Sequence, residues 1–369
     1  MSIIIKEFTE EWQDSVKAFN QRLFSRNISF RFPETPSFHK NLSEEKQYPP
    51  EEYYLAIDDS NTVRGGYILQ EHNFYIDGDL YNIGFIKLPL SEGIINKTYN
   101  MVGLSFIKHA LKKRKFVYAL GMGWPYGPLG KLLYALRWNI VIIPFYFYII
   151  HPYVFLKNIC ILRKSYLKRI ICDILALSGI GWLAVKMYEY IRMAFAFSMK
   201  SGEASKIEYF GDWIDSISNE AKRNYRFSAL RDSTTLNYLY KTDNKEFLHI
   251  CVKYKEKLVG LATLLDMSYA RKDYFGNMRV LCLIYCHSLP GKESVLINSI
   301  KKYSRIMGFD ILITNCSYYI YQSALRRQGF LSGPSNVAFA ASPELAELFK
   351  IKNITLRDMH IMRGDGDGR

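Results

Sequence analysis

The sequence lacks several signatures that would define a function at once. Its six cysteines form no Cys-x-x-Cys pair and have no histidine at metal-ligand spacing, so we expect no structural metal and a reducing compartment. The chain enters Lys6 and Glu7 without a long apolar stretch, which predicts no secretory leader and a cytoplasmic location. No segment resembles a nucleic-acid-binding module. Secreted, metal-stabilised and DNA-reading proteins are therefore disfavoured.

What is present points to a large globular protein with an anionic partner. The 369 residues are 49% hydrophobic and 15% aromatic, which excludes disorder and predicts two domains. Lysine and arginine outnumber aspartate and glutamate by 49 to 35, for a net charge of +14. Such a charge favours phosphorylated ligands or an anionic membrane surface.

One stretch, residues 83–138, has the pattern of a binding site between two strands. It predicts a strand, a polar turn, a helix, a second strand and a glycine-rich loop. We expect Pro89 to end the first strand, because proline lacks the N–H that a ladder needs, and the two strands to splay apart. The helix after Ser91-Glu92-Gly93 presents free N–H groups and a positive dipole end, which suits a pyrophosphate.

The second half of the chain repeats this order from residue 207 onward. Apolar strand patterns precede a predicted crossover helix over 293–307, a strand over 310–315 and a helix over 318–328. The run from Ile140 to Ile150 is about half the length of a membrane span and contains Pro144, so we interpret it as one buried strand.

A helix is predicted over residues 163–192, bent near Gly179 and Gly181. Its apolar face lies beside several cations, which permits two interpretations. One is an interfacial helix in peripheral contact with a membrane. The other, which we favour on the sequence alone, is a linker helix that buries this face against the rest of the protein.

Five segments within the first 160 residues carry a resemblance to a known family. They are Tyr53–Ala56, Val63–Tyr67, Pro89–Gly93, Ala119–Gly123 and Trp138–Leu156. Together they resemble the double-GNAT acyltransferase-like proteins of bacterial polysaccharide-biosynthesis gene clusters. The resemblance implies an α/β (α+β) fold of two tandem GNAT-like lobes, each a mixed, mostly antiparallel sheet flanked by helices. It places the lobes at residues 1–160 and 206–362, with a helical linker at 161–205. Residues 363–369, at the chain end, are predicted to form a flexible tail.

The resemblance also implies acetyl-CoA or another acyl-CoA as cofactor. The GNAT phosphate loop usually carries Gln or Arg, two further residues and then Gly-x-Gly or Gly-x-Ala, whereas here only Ser91-Glu92-Gly93 stands in that place. A glutamate there repels a pyrophosphate. The residues that we expect to bind the cofactor are Leu88, Leu90, Ser91, Gly93, Gly121 and Gly123.

Acyl transfer from a thioester needs a base for the acceptor and an acid for the departing thiolate. In the first lobe the hypothesis assigns the base to Glu92 and the acid to Tyr126, because both lie at loop ends beside the splayed strands. The alternatives are a helix cap for Glu92 and a packed aromatic for Tyr126. In the second lobe the candidates are Tyr319 or Tyr321 as acid and His287 as base, with Cys286 a less favoured nucleophile.

Three functions remain open at this stage. The favoured one is an N- or O-acyltransferase that moves an acyl group, most simply acetyl, from acyl-CoA to an amino sugar or glycan precursor, either a small molecule or lipid-linked. The second is a Fem-type transferase, which pairs two GNAT lobes but uses aminoacyl-tRNA. The third is a non-catalytic scaffold with a GNAT fold.

Overall fold

The computed structural model describes residues 2–35, 51–121, 123, 125, 127–194, 200–241, 244–268, 270 and 272–366. The chain forms two compact units, and neither is continuous in sequence. The first unit contains the residues up to Ile142 together with Asn336–Ile354. The second contains Ile143–Ser335 together with the residues from Thr355 onward.

The strands, numbered along the chain, are β1 (Ile3–Glu7), β2 (Glu51–Asp58), β3 (Val63–Ile76), β4 (Asp79–Ser91), β5 (Val117–Leu120), β6 (Asn139–Ile142), β7 (Phe145–Ile149), β8 (Glu203–Ile207), β9 (Phe227–Ala229), β10 (Phe247–Tyr254), β11 (Lys257–Asp266), β12 (Val280–Ser288), β13 (Ile311–Asn315), β14 (Leu331–Gly333), β15 (Ala338–Ala341) and β16 (Met359–His360). The helices are α1 (Gln13–Phe24), α2 (Val102–Lys113), α3 (Pro128–Ala135), α4 (Pro152–Asn158), α5 (Tyr166–Leu177), α6 (Ile180–Ala194), α7 (Trp213–Ala221), α8 (Ser233–Leu239), α9 (Lys272–Phe275), α10 (Glu293–Ile306), α11 (Tyr319–Arg327) and α12 (Pro343–Ile351).

The sheet of the first unit has the order β1-β2-β3-β4-β5-β15-β6. Along this path the neighbouring strands are antiparallel except for β4 and β5, which run parallel. The short strands β9 and β16 form a further parallel pair. One apolar core lies between the sheet and α2, and a second forms with α1 on other residues of the same strands. The prediction of a mixed, mostly antiparallel sheet flanked by helices is confirmed for this unit.

The sheet of the second unit has the order β14-β7-β13-β12-β11-β10-β8. Here β12 and β13 are the parallel pair, and the other ladders are antiparallel. Two buried clusters enclose the sheet, one including α10 and α11 residues and the other including α7 and α8 residues. The two units therefore repeat one order of strands and helices, as the sequence pattern predicted.

Both sheets contain strands from both halves of the sequence. Strand β7 pairs with β13 and β14 in the second unit, and β15 pairs with β5 and β6 in the first. The predicted division at residues 160 and 206 was contiguous, so it differs from these units. The prediction of one strand over Ile140–Ile150 is wrong, because Pro144 separates β6 from β7 and the two strands enter different sheets.

Two further predictions need correction. Strand β4 does not end at Pro89 but continues to Ser91 through a bulge. The predicted flexible tail is ordered through residue 366, since Arg363–Asp365 forms a 3₁₀ turn in which Gly364 and Asp365 are buried. Asp77 and Gly78 form the hairpin between β3 and β4, with φ angles of 53° and 89° that match a tight two-residue turn.

Candidate active site

The parallel strands β4 and β5 separate soon after they meet. Their ladder joins only Gly84 with Val117 and Phe85 with Tyr118 in the described residues. The other edge of β5 stays bonded to β15, and the N–H of Gly121 extends that pairing to the carbonyl of Ala338 at 3.1 Å. Beyond Phe85, β4 and β5 therefore border an opening in the sheet of the first unit.

A bulge in β4 lies at this opening. Gly66 pairs with Leu90 and Ile68 with Lys87, so Tyr67 alone faces both Leu88 and Pro89. Leu88 has a φ of +47°, a strained value for a leucine, and the bulge accommodates the missing N–H of the proline. Leu88 thus lies in the bulge beside the opening, and its role in cofactor binding stays a prediction.

The other predicted cofactor residues lie at the end of β4 and after β5. Leu90 is buried in the core beside α1, which leaves it a packing role. Ser91 caps the turn Glu92–Ile94 by accepting the N–H of Gly93 on its Oγ at 3.1 Å. Gly121 and Gly123 have φ angles of 95° and 70° and open space where a side chain would lie. These two glycines suit a ligand that approaches the backbone.

Glu92, the predicted base, is buried in an ion-pair network. Its Oε1 accepts from Arg22 Nε at 2.9 Å and its Oε2 from Arg64 Nη1 at 3.0 Å. Arg64 also binds Asp58 Oδ2 at 2.7 Å, and its guanidinium lies 4.4 Å from the ring centre of Tyr99. Burial alone would raise the pKa of Asp58, but the hydrogen bond from Arg64 lowers it.

Because both oxygens of Glu92 already accept charge-assisted hydrogen bonds, the geometry favours a structural role for this carboxylate. The network holds the chain between β4 and α2, and it neutralises the charge that would repel a phosphate. The base assignment itself stays a prediction. Tyr126, the predicted acid, lies outside the described residues.

The start of α2 carries no competing anion. Its N-cap residue, Met101, makes no side-chain cap, and the first turn contains no acidic residue. A side chain at Gly103 would meet only Leu132 Cδ2, at 3.4 Å. No acidic side chain of that turn therefore accepts hydrogen bonds from the first-turn N–H groups or balances the positive end of the helix dipole.

The corresponding helix of the second unit begins differently. Glu293 is the first residue of α10 and is buried, and its Oε1 accepts the N–H of Gly291 at 3.3 Å. Burial raises the pKa of this carboxyl. The preceding Lys292 points its ammonium at the ring of Tyr254, 5.5 Å from the centroid. A carboxylate of the protein thus lies where a pyrophosphate would need to bind.

The opening between β12 and β13 is filled by the chain itself. Their ladder ends at the pair of Leu283 and Thr314, although β12 continues to Ser288. Residues 359–365, here named the C-terminal segment, enter this opening. Met362 forms a backbone bridge with Cys316, and its Sδ lies 3.7 Å from Cys286 Sγ on β12.

Buried polar contacts fix the C-terminal segment. Asp365 Oδ1 accepts from Arg231 Nη2 at 2.5 Å, and both side chains are almost fully buried. The hydroxyl of Tyr240 donates to the carbonyl of Gly364 at 3.0 Å. A side chain at Gly364 would clash with this hydroxyl and with the carbonyl of Ile284, so the segment fits the opening closely.

The second-unit catalytic candidates lie in this filled region. Tyr321 is 1% exposed, donates to Ser288 Oγ at 3.1 Å, and has its pKa raised well above the usual value by burial. Burial also raises the pKa of Cys286 and lowers that of His287. Neither ring nitrogen of His287 has a hydrogen-bond partner among the described residues. Tyr319 is 41% exposed and on α11.

One polar pair of the first unit was not anticipated from the sequence. The Tyr118 hydroxyl and His72 Nδ1 lie 2.5 Å apart in a hydrogen bond, and both residues are buried. His72 Nε2 lies 3.3 Å from Gln70 Oε1. Tyr118 faces Phe85, the last paired residue before β4 and β5 separate. The only signal was a histidine within a strand pattern, and its partner is 46 positions away.

Comparisons with known proteins agree with this architecture. No protein-family model and no curated protein matches the chain. A probable N-acyltransferase of unknown function from Enterococcus faecalis aligns with TM-score 0.53 and 10% identity over 94% of this chain and 74% of that one. A GCN5-related N-acetyltransferase from Anabaena variabilis gives 0.52 and 10% over 92% and 72%.

N-myristoyltransferase of Saccharomyces cerevisiae, solved with bound myristoyl-CoA, gives TM-score 0.52 and 10% identity over 92% and 79% of the two chains. At this identity the likeness establishes the fold. The protein has the GNAT fold, built twice from one chain, and these neighbours span most of its length.

Proposed function

We propose that the protein is an acyl-CoA-dependent N- or O-acyltransferase whose cofactor binds in the first unit. The carrying observation is the opening between β4 and β5, which lies beside a helix start without an acidic side chain. The edge of β4 beyond Phe85 offers backbone groups to an amide-containing arm such as that of coenzyme A. The first turn of α2 offers N–H groups to its pyrophosphate.

The second unit supports the fold rather than the reaction in this proposal. Its opening holds the C-terminal segment, and its corresponding helix begins with the buried Glu293. A cofactor would have to displace apolar and ion-paired groups of the protein to enter there. Glu92 acts as a positioning residue that fixes the approach to α2.

The proton transfers need a group near the point where the strands separate. When an amine or hydroxyl attacks the thioester carbonyl, it loses a proton, and the departing thiolate gains one. We assign the Tyr118 hydroxyl as the donor to the thiolate. The proton that the acceptor loses passes to solvent water, and the Tyr118 oxygen regains its proton through its hydrogen-bond partner His72. Both side chains belong to strands that border or adjoin the opening.

Tyr118→Phe tests this assignment, because it removes the hydroxyl and keeps the ring. General acid catalysis contributes about a hundredfold or more, so kcat should fall by that factor while the cofactor Kd stays unchanged. Tyr81→Phe, a tyrosine of β4 near the hairpin, is the matched control. Unchanged kcat in Tyr118→Phe would remove the hydroxyl from the mechanism.

The acceptor that we propose is an amino sugar or glycan precursor of cell-surface polysaccharide. The sequence segments that resemble the acyltransferase-like proteins of polysaccharide-biosynthesis clusters support this class of acceptor. The net charge of +14 supports an acceptor that carries phosphate, such as a nucleotide-linked or lipid-linked sugar.

A second candidate is a transferase that uses aminoacyl-tRNA. The observation that favours it is the glutamate near each phosphate-binding position, Glu92 and Glu293, in place of a glycine-rich loop. The large positive charge also suits a nucleic-acid substrate.

Calorimetric titration with acetyl-CoA, myristoyl-CoA and desulfo-CoA separates the two candidates. Micromolar binding of acyl-CoA supports the first, and the order of affinities identifies the acyl chain length. If no cofactor binds while aminoacyl-tRNA does, the second candidate replaces it. If neither binds, the fold serves as a scaffold.

A further inference from the structure

Helix α5 exposes an apolar face to solvent. Twelve of the 29 large apolar side chains that are exposed in the described part of the chain lie between residues 166 and 191. This concentration is far from the scattered single exposures that are normal on a protein surface. The exposed residues of α5 are Tyr166, Leu167, Ile170, Ile171, Ile174 and Leu177.

These α5 residues form one continuous stripe. At 100° per residue, they cover an arc of about 140° around the helix axis. Cys172 and Ala176 are buried on the far side of the helix. Lys168 and Arg169 project between the two faces, one at each margin of the apolar arc. This is the pattern of a helix at a membrane surface, with cations at the headgroup level.

Helix α6 continues the apolar surface. It follows α5 after Gly179, whose φ is +74°, and the two axes differ in direction by 74°. The exposed aromatic residues Trp182 and Tyr190 belong to the types that are enriched at membrane interfaces. The remaining exposed apolar residues of α6 are Ile180, Leu183, Met187 and Ile191.

The free charge around this surface is positive. Residues 157–192 contain seven lysines and arginines but only two carboxylates. Asp173 is neutralised by Arg163 at 3.0 Å and Lys157 at 2.9 Å. Glu189 is neutralised by Lys301 at 3.1 Å and Lys186 at 3.0 Å. No carboxylate of this segment is thus left to repel an anionic partner.

Internal contacts hold the pair in place without covering it. Tyr148 of β7 donates to Glu189 at 2.6 Å, and Arg192 Nε donates to the carbonyl of Arg326 at 3.2 Å. Gly181 leaves no room for a side chain beside Leu156. The packed linker helix favoured from the sequence explains these contacts. It does not explain the exposed stripe, so the prediction that this face is buried is wrong.

We propose that α5 and α6 dock on an anionic lipid surface, with their apolar faces in the interfacial layer and their marginal cations on the phosphates. No described helix is by itself long and apolar enough to cross a bilayer, although α5 and α6 taken together have the length and apolar composition of a span. Their lengths are about 18 and 22 Å, short of the ~30 Å hydrocarbon core, which favours an interfacial position.

Charge argues against a second copy of the chain as the occupant. Symmetric pairing of two such faces would bring two sets of the cations Lys164, Lys168 and Arg169, which form no ion pair within the described part of the chain, into one interface. An anionic lipid surface instead attracts each of these cations, by about fivefold in binding per cation near the surface. The proposal does not depend on the acyl-transfer reaction.

Vesicle flotation of the full chain tests the proposal. The protein should float with vesicles that mix phosphatidylcholine and phosphatidylglycerol, and much less with phosphatidylcholine alone. Leu167 and Leu177 are 70% and 71% exposed, so the double variant Leu167→Glu/Leu177→Glu should keep its fold. It should lose binding by more than about tenfold, because two apolar anchors are removed.

The charge requirement is tested by Lys164→Glu/Lys168→Glu/Arg169→Glu, for which a loss of more than about tenfold is expected. The control variants introduce glutamate at exposed apolar or basic positions outside the helix pair. They are Ile306→Glu, at a side chain that is 82% exposed, and Lys245→Glu/Lys253→Glu/Lys257→Glu. Both controls should float like the parent protein, and circular dichroism verifies the fold of each variant.

Failure of the parent protein to float would overturn the proposal, as would helix variants that bind like the controls. Sedimentation gives the third decisive readout. A concentration-dependent dimer in solution that Leu167→Glu/Leu177→Glu dissolves would show that a second copy covers the face, which would also overturn the proposal.

Discussion

The two units share one order of strands and differ at the position where their parallel strands part. In the first unit β4 and β5 leave an opening, and the helix beside it begins without an acidic side chain. In the second unit the C-terminal segment lies in the equivalent opening, and α10 begins with the buried Glu293. One architecture thus has its opening filled by protein in the second unit, whereas in the first unit we propose a ligand site.

The difference follows from what each opening must satisfy. Strands that separate leave backbone groups and apolar side chains without partners, and these need either a ligand or another part of the protein. In the second unit Met362, Gly364 and Asp365 supply those partners permanently. A duplicated fold can therefore keep one unit for chemistry and use the other for stability.

The largest effect expected from this comparison is on stability. Asp365→Ala leaves Arg231 buried without its ion-pair partner, which should lower the free energy of unfolding by about 3–5 kcal/mol. Urea unfolding followed by tryptophan fluorescence measures the loss. The control Asp14→Ala breaks an exposed pair with Lys17 and should leave the free energy of unfolding almost unchanged.

The double variant Arg231→Met/Asp365→Leu guards against a chain that fails to fold. Since it removes both charges, it should be more stable than Asp365→Ala. An Asp365→Ala protein as stable as the control would mean that the C-terminal segment is not an integral part of the second unit, and the comparison would fail.

The next effect is on cofactor binding in the first unit. Gly103→Glu gives the first turn of α2 a carboxylate comparable to Glu293, and the contact at 3.4 Å leaves room for its Cβ. Repulsion of a pyrophosphate should weaken acyl-CoA binding by at least about tenfold in calorimetry. Gly103→Ala adds the Cβ without the charge and should bind like the parent protein.

Equal affinity in the two Gly103 variants would place the cofactor away from α2. If the parent protein binds acyl-CoA in that case, the second unit becomes the candidate, and the roles assigned to the two openings would have to be exchanged.

The sequence predicted the fold class and much of the element order. Hydrophobic periodicity identified α10 and α11 to within about two residues, because one face of each helix must be apolar to pack on a sheet. The turn at Asp77-Gly78 also has a local cause, since these residue types adopt positive φ.

Features that depend on distant residues were not predictable. The exchange of β7 and β15 between the sheets involves strands almost 200 residues apart, and local patterns carry no information on pairing at that range. The two arginines that neutralise Glu92 come from α1 and β3. Residues 363–369 were predicted to be a flexible tail, whereas contacts with the distant Arg231 and Tyr240 fix Gly364 and Asp365.

The smallest expected effect concerns the pH dependence of the second unit. Burial raises the pKa of Glu293 above its ordinary value of 4.5, so the folded protein binds this proton more tightly than the unfolded chain does. As pH rises from about 4.5 through the folded-state pKa, the carboxyl must ionise while buried, and its contribution to stability falls. Glu293→Gln cannot ionise but keeps an acceptor for Gly291. In urea unfolding, the free energy of unfolding of Glu293→Gln should therefore increase relative to that of the parent protein as pH rises from 4 to 7.

Glu344→Gln, at an exposed carboxyl in the first turn of α12 of the first unit, is the control. If the difference in free energy of unfolding between Glu293→Gln and the parent did not change with pH, this carboxyl would not be desolvated. The start of α10 would then differ less from the start of α2 than we infer here.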